Sequence, residues 1–162
     1  MTRIVEDGYS TVPAGKIATV VTCLEMHSRP PTSPAPVSLP IRRVHVPDLN
    51  WYRSAFSRIG REWMWFSRLR LSDAQLSAIL NDPKVWLFAL DVEGQTEGLL
   101  ELDFRELGQC ELAFFGLTAA LRGQGVGRAL MNFAIHEAFS QPIERFWVHT
   151  CTLDHPKAVS FY

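Results

Sequence analysis

Arg122-Gly123-Gln124-Gly125-Val126-Gly127 constrains this chain more than any other stretch. It follows an apolar, strand-like run from Glu111 to Leu117 and opens directly into a helix-like run from Val126 to Phe139. In that run Arg128, Asn132 and His136 recur at i+4 along a polar stripe, and Leu130, Ala134 and Ala138 along an apolar one. The glycines let backbone approach a ligand closely, and a helix N-terminus adds free N–H groups and the positive end of its dipole. Strand, Gly-rich loop and helix together make a site for an anion, and a pyrophosphate fits it best.

The spacing narrows the nucleotide. A P-loop needs G-x-x-x-x-G-K-[ST], and the sequence has no such run. A dinucleotide fingerprint counted from Gly123 and Gly125 would put its third glycine at residue 128, which is Arg128. Arg122, Gly125 and Gly127 instead stand at the fixed positions of [Gln/Arg]-x-x-Gly-x-[Gly/Ala]. Downstream, Arg145 to Thr152 reads as a buried strand, and Asp154-His155-Pro156-Lys157-Ala158-Val159-Ser160-Phe161-Tyr162 follows it. That segment resembles Asn-x-x-Ala-x-x-[Phe/Leu]-Tyr, with Ala158, Phe161 and Tyr162 in place and His155 where Asn is usual. Both patterns, in this order on consecutive elements, resemble the GNAT superfamily of acetyl-CoA-dependent N-acetyltransferases. The resemblance covers residues 37–162, and residues 1–36 read as an N-terminal extension with one strand and a Pro-rich linker.

The resemblance implies an α/β fold, a mixed and mostly antiparallel sheet flanked by helices. It implies acetyl-CoA as co-substrate, no metal, and direct transfer to a small-molecule or peptide amine without an acyl-enzyme. The strand ending at Leu117 should part from the next strand and leave a V-shaped slot for the pantetheine arm. Leu117 N–H is then the expected main-chain contact and Phe115 N–H the oxyanion donor. Gly123, Gln124, Gly125, Val126 and Gly127 would cradle the pyrophosphate, with Arg122 and Arg128 flanking it. Tyr162 takes the position of the general acid, where a phenol near pKa 10 can protonate a departing thiolate.

Glu111 is the candidate general base. Strand alternation puts residues 111, 113, 115 and 117 on one face, so Glu111 would point where Phe115 and Leu117 point. A solvated glutamate at a strand start is the competing reading. Glu101, Asp103 and water remain alternative bases, and the two carboxylates could equally hold a cationic acceptor. His149 and His155 have no Cys/His partner at zinc-like spacing, so each reads as a satisfied or surface histidine. Trp51, Tyr52, Trp63 and Trp65 fall where acceptors bind in the superfamily, but a core-facing stripe is the preferred reading of the set. A non-catalytic acyl-CoA-binding or regulatory module on the same fold is the alternative function.

A net charge of −1 leaves no electrostatic footprint for nucleic acid or an anionic membrane. No apolar run reaches membrane-spanning length and residues 1–25 hold no apolar core of a signal peptide, so the cytoplasm is the expected compartment. Cys23, Cys110 and Cys151 read as reduced core residues. Ile17–Met26 reads as an extra strand, the five prolines between Arg29 and Pro40 as a linker, and Val37–Val46 as the first strand of the main domain. Asp48 or Asn50 should cap a helix whose stripe is Tyr52, Phe56, Ile59, Trp63 and Phe66, and Ser72 to Gln75 is a capping box. Residues 86–92 and 96–104 read as a hairpin joined by a turn at Glu93-Gly94-Gln95. In the superfamily a helix and two more strands follow the tyrosine, so these 162 residues are expected to be a piece of a longer protein. The strand at 145–152 would then keep an unpaired apolar edge that invites a second chain, as in a homodimer.

Overall fold

The computed structural model describes residues 8–31 and 39–162. Its elements are β1 (Val21–Met26), β2 (Ile41–Val44), α1 (Leu49–Gly60), α2 (Asp73–Leu80), β3 (Val85–Val92), β4 (Gln95–Asp103), β5 (Gln109–Leu117), α3 (Val126–Ala138), β6 (Arg145–Cys151) and α4 (Ala158–Phe161). The strands form one six-stranded sheet in the order β1-β6-β5-β4-β3-β2, antiparallel throughout except where β5 meets β6. The Pro-rich linker falls largely on residues 32–38, outside the described residues, as do the first two positions of the strand expected from Val37.

Local chemistry accounts for the helix starts. Asp48 caps α1 by accepting the Trp51 N–H at 2.8 Å, a bond worth about 1 kcal/mol. Ser72 and Gln75 close the expected capping box around α2. The apolar stripe outlasts its helix, however. Tyr52, Phe56 and Ile59 are buried, but α1 ends at Gly60, and Met64 turns into the left-handed region at φ 54°. Trp65 then folds back so that its N–H reaches the Gly60 carbonyl at 3.0 Å. A Cβ on Gly60 would lie 2.3 Å from that of Trp65, so only glycine permits the reversal. Trp63 therefore ends a 3-10 turn over Arg61–Trp63, and Phe66 lies exposed on the loop after it.

Two apolar layers sandwich the sheet. Tyr52, Phe56, Ile59, Leu76 and Leu80 pack on Leu87 and Leu99 at the α1–α2 face. Leu130, Ala134, Ile135 and Ala138 of α3 pack on Phe88, Leu100, Leu102, Leu112 and Phe146 at the other. Truncating a fully buried aromatic such as Phe56 to alanine costs about 3–5 kcal/mol in such a layer.

The expected unpaired edge of the 145–152 strand does not exist in the structure. β1 occupies it as an antiparallel neighbour, in continuous register from Val21 opposite Cys151 to Met26 opposite Phe146. The N-terminal extension thus belongs to the same sheet as the main domain. The Glu25 carboxylate clips the pairing by accepting from Arg145 at 2.6 Å.

Candidate functional site

The site is made by a defect in β5. Asp103 opposes Glu111 and Leu102 opposes Leu112, but Glu101 opposes Phe114, so Ala113 is an extra residue bulged out of the ladder. Past the bulge the alternation is inverted. Glu111 shares the α1–α2 face with Phe114 and Gly116, whereas Phe115 and Leu117 share the α3 face with Leu100 and Gly98. The expectation that Glu111 points with Phe115 and Leu117 is therefore wrong, because it assumed an unbroken strand.

At the same level β5 and β6 come apart. Their parallel pairing stops at Glu111 opposite Trp147, although β5 runs on to Leu117 and β6 to Cys151. The opened V is part of a cavity of about 1130 Å³. Thr118 donates its N–H to the Glu97 carbonyl on β4 at 2.9 Å. Strand alternation then turns the N–H groups of Leu117 and Phe115 to the opposite side of β5, toward the V.

The Gly-rich loop closes one end of the cavity. Gly123 and Gly125 both adopt φ 80°, a left-handed conformation that strains any side chain, and a Cβ on either would meet nothing within 4 Å. Gly125 leads into α3 with no side-chain cap, so the N–H groups of the first turn remain for an external anion. Val126 is buried and anchors the turn, while the Gln124 side chain donates to the Ala120 carbonyl at 2.7 Å. Gly127 lines the cavity beside Leu117 and Phe161.

The sequence profile of the acetyltransferase (GNAT) family matches residues 49–162. The chain belongs to that family. Among curated proteins no sequence matches it. Solved structures share its fold at low identity. An aminoglycoside acetyltransferase from an uncultured soil metagenomic sample, crystallised with trehalose, is 18% identical, with 76% of this chain and 84% of that one covered and a TM-score of 0.60. A ribosomal-protein-alanine N-acetyltransferase from Brucella melitensis biovar Abortus 2308 is 14% identical over 78% and 89%, at 0.56. A transcriptional regulator from Bacillus halodurans C-125 is 20% identical over 77% and 89%, at 0.58.

In this GNAT protein the flanking arginines have other contacts. Arg122 bonds Glu62 at 2.5 Å and makes a cation–π contact with Trp63, 5.4 Å to the ring centre. Arg128 lies 5.1 Å over the Phe161 ring. Tyr162 packs edge-on against Phe115 and Phe161, and burial, then the Asp154 charge, push its phenol well above the ordinary range. His155 takes over a local task at the position of the family's asparagine, since its Nδ1 accepts the Lys157 N–H at 3.1 Å.

The carboxylates sort clearly. Glu101 is fully buried, accepts the Tyr52 hydroxyl at 3.0 Å and pairs with Arg68. Burial would raise the Asp103 carboxyl, but bonds from Arg105 outweigh it and hold it below the usual range. Neither residue lines the cavity, and each is paired with its own arginine. Glu111 instead meets His149, Oε1 to Nδ1 at 3.0 Å. His149 lines the cavity, which its reading as a satisfied or surface histidine does not anticipate. No sequence signal could have found it, because the register that sets Trp147 opposite Glu111, and His149 two residues further on, belongs to the fold.

The aromatic set divides. Tyr52 is core and Trp51 bonds Thr96 at 3.1 Å, while Trp63 and Trp65 line the cavity. Trp65 is wedged between Phe56 and Phe114, with both ring centres 5.2 Å away. Cys110 is buried, and Cys23 is exposed on β1 rather than in the core; all three cysteines are free. Among the described residues there is no cluster that could hold a metal ion, and no helix is long and apolar enough to cross a membrane.

Proposed function

We propose that the protein transfers an acetyl group from acetyl-CoA to a primary amine by direct attack in a ternary complex. The observation that carries this reading is one continuous cavity joining the Gly123–Gly127 loop, the opened V and the Trp63–Trp65 wall. One end suits a pyrophosphate, the middle offers main-chain N–H groups, and the far end is aromatic and partly exposed. In this reading Gly123, Gln124, Gly125, Val126 and Gly127 hold the pyrophosphate through backbone N–H groups. Arg122 and Arg128 complement its charge at the rim. Leu117 N–H binds the pantetheine amide, and Phe115 N–H donates to the developing oxyanion. Tyr162 gives its proton to the departing thiolate. Deprotonation of the amine is assigned to the Glu111–His149 pair.

The test is CoA release from acetyl-CoA with pooled amines (aminoglycosides, polyamines, amino acids and peptide N-termini), alongside calorimetric titration of CoA. Saturable binding and amine-dependent release are expected. Binding without release with any amine would support the non-catalytic reading instead.

A further inference from the structure

Resting on the acetyl-transfer reading, we propose that His149 is the group that takes the proton from the acceptor amine, with Glu111 as its positioning residue and not the base itself. Three features place them in these roles. The cavity wall on β5 begins at Leu112, one residue past Glu111, whereas His149 lines the cavity directly. The bulge at Ala113 leaves Glu111 on the face of β5 that continues into Trp147 and His149 on β6, not on the Phe115 face. Glu111 Oε1 occupies the imidazole Nδ1 at 3.0 Å, which leaves Nε2 as the nitrogen able to accept a proton. A carboxylate fixing one ring nitrogen so that the other acts as base is a recurrent catalytic arrangement.

Other groups around the imidazole do not replace this partner. Cys23 stands directly opposite on β1, Cys151 lies two residues along on β6, and Asp154 sits in the following turn, where Thr150 and the Cys151 N–H hold it at 2.7 and 2.8 Å. Lys16, Arg70, Lys157 and Tyr162 line the same cavity. The hydrogen bond that His149 Nδ1–H donates to Glu111 raises the His149 pKa against the opposing effect of burial.

The proton balance is simple. The ammonium N–H breaks and an N–H forms at His149 Nε2. The free amine then attacks the thioester carbonyl, so an N–C bond forms and the C–S bond breaks. Of the two protons the nitrogen loses, one leaves through His149 to solvent; the thiolate takes the Tyr162 proton to become CoASH, and the second nitrogen proton restores the Tyr162 phenol.

The sign of the pH effect follows. His149 must be neutral to act, so kcat/KM falls as pH drops below its folded pKa. Replacing Glu111 removes the bond that raises that pKa, so in E111Q the acidic limb of the profile should move to lower pH. Its plateau should drop because a weaker base drives the transfer less. H149Q should lose the limb itself and about 10²–10⁴-fold in kcat/KM at neutral pH, with the deficit shrinking as alkali supplies free amine.

The experiment measures kcat/KM against pH for wild type, E111Q, H149Q and H149A. CoA affinity is checked by calorimetry, and the His149 titration is followed by NMR in wild type and E111Q. Added imidazole should partly restore H149A and leave E111Q unchanged, a result that a merely structural histidine would not give. A wild type active with amines whose H149Q keeps its rate overturns this inference alone. So does an E111Q that loses 10²-fold or more with an unmoved limb. A wild type that binds CoA yet releases none with any amine overturns the acetyl-transfer reading, and this inference with it.

Discussion

Replacing Glu101 with alanine should be among the most damaging single changes in this protein. The carboxylate is wholly inaccessible to solvent, and the Arg68 side chain paired with it is only 13% exposed. Small values measured for surface ion pairs therefore do not apply. Alanine would leave two buried groups without their partner, the Arg68 guanidinium and the Tyr52 hydroxyl. Arg68 Nε already has no bond, so the guanidinium has little left to fall back on. Removing one member of a buried pair costs about 3–5 kcal/mol, against a total stability of roughly 5–15 kcal/mol for a domain. For a chain of this size that corresponds to a fall in Tm of roughly 6–20 °C. Urea unfolding followed by tryptophan fluorescence measures it directly. The double variant E101L/R68M removes both charges together and should recover most of the loss. A cost below about 1 kcal/mol for E101A, or a double variant as unstable as the sum of its parts, refutes the reasoning.

Gly125→Asp places a carboxylate beside the proposed pyrophosphate and strains the φ 80° turn, so calorimetry should show CoA affinity lowered at least tenfold, about 1.4 kcal/mol. Gly116→Ala would set a Cβ 2.5 Å from Ile59 and 2.8 Å from the Trp65 indole. It should cost about 1–3 kcal/mol and raise KM for the amine more than for acetyl-CoA, since it pushes the aromatic wall. Tyr162→Phe should lower kcat by about 10²-fold with CoA affinity retained, as judged by steady-state rates and calorimetry. Asp103 is held below its ordinary value, so its stabilising effect is present above about pH 3.8 and lost as pH falls through the lower folded value. D103N should be less stable than wild type at neutral pH and show a flatter decline below pH 3.8 in urea titrations.

What the sequence disclosed was what neighbours along the chain decide. Asp48, the Ser72–Gln75 box and the Glu93–Gly94 turn act on residues within four positions, and each was legible. The Gly-rich loop was legible for the same reason. The bulge was not, because residues 112–117 are apolar or small on both faces, and inserting Ala113 leaves no break in the pattern. The end of α1 was hidden by Trp63 and Phe66, which continue the apolar period although the α-helix stops at Gly60 and the chain reverses at Met64. The Glu111–His149 pair and the β1–β6 ladder join residues from distant segments, and no local signal encodes such partners. Alternation alone aimed Glu111 the wrong way, and topology was needed to find the imidazole it holds.

The β1–β6 ladder also sets an order of events for a chain being synthesised. Glu25 and Arg145, which clip it, are 120 residues apart. At about 5–20 residues per second the first strand emerges roughly 6–24 s before its partner exists. Through that interval the strand that will carry His149 has not been made, while α1, α2 and the β3–β4 hairpin can already associate through short-range contacts. The last ladder to close is thus the one bearing half of the proposed proton-transfer pair.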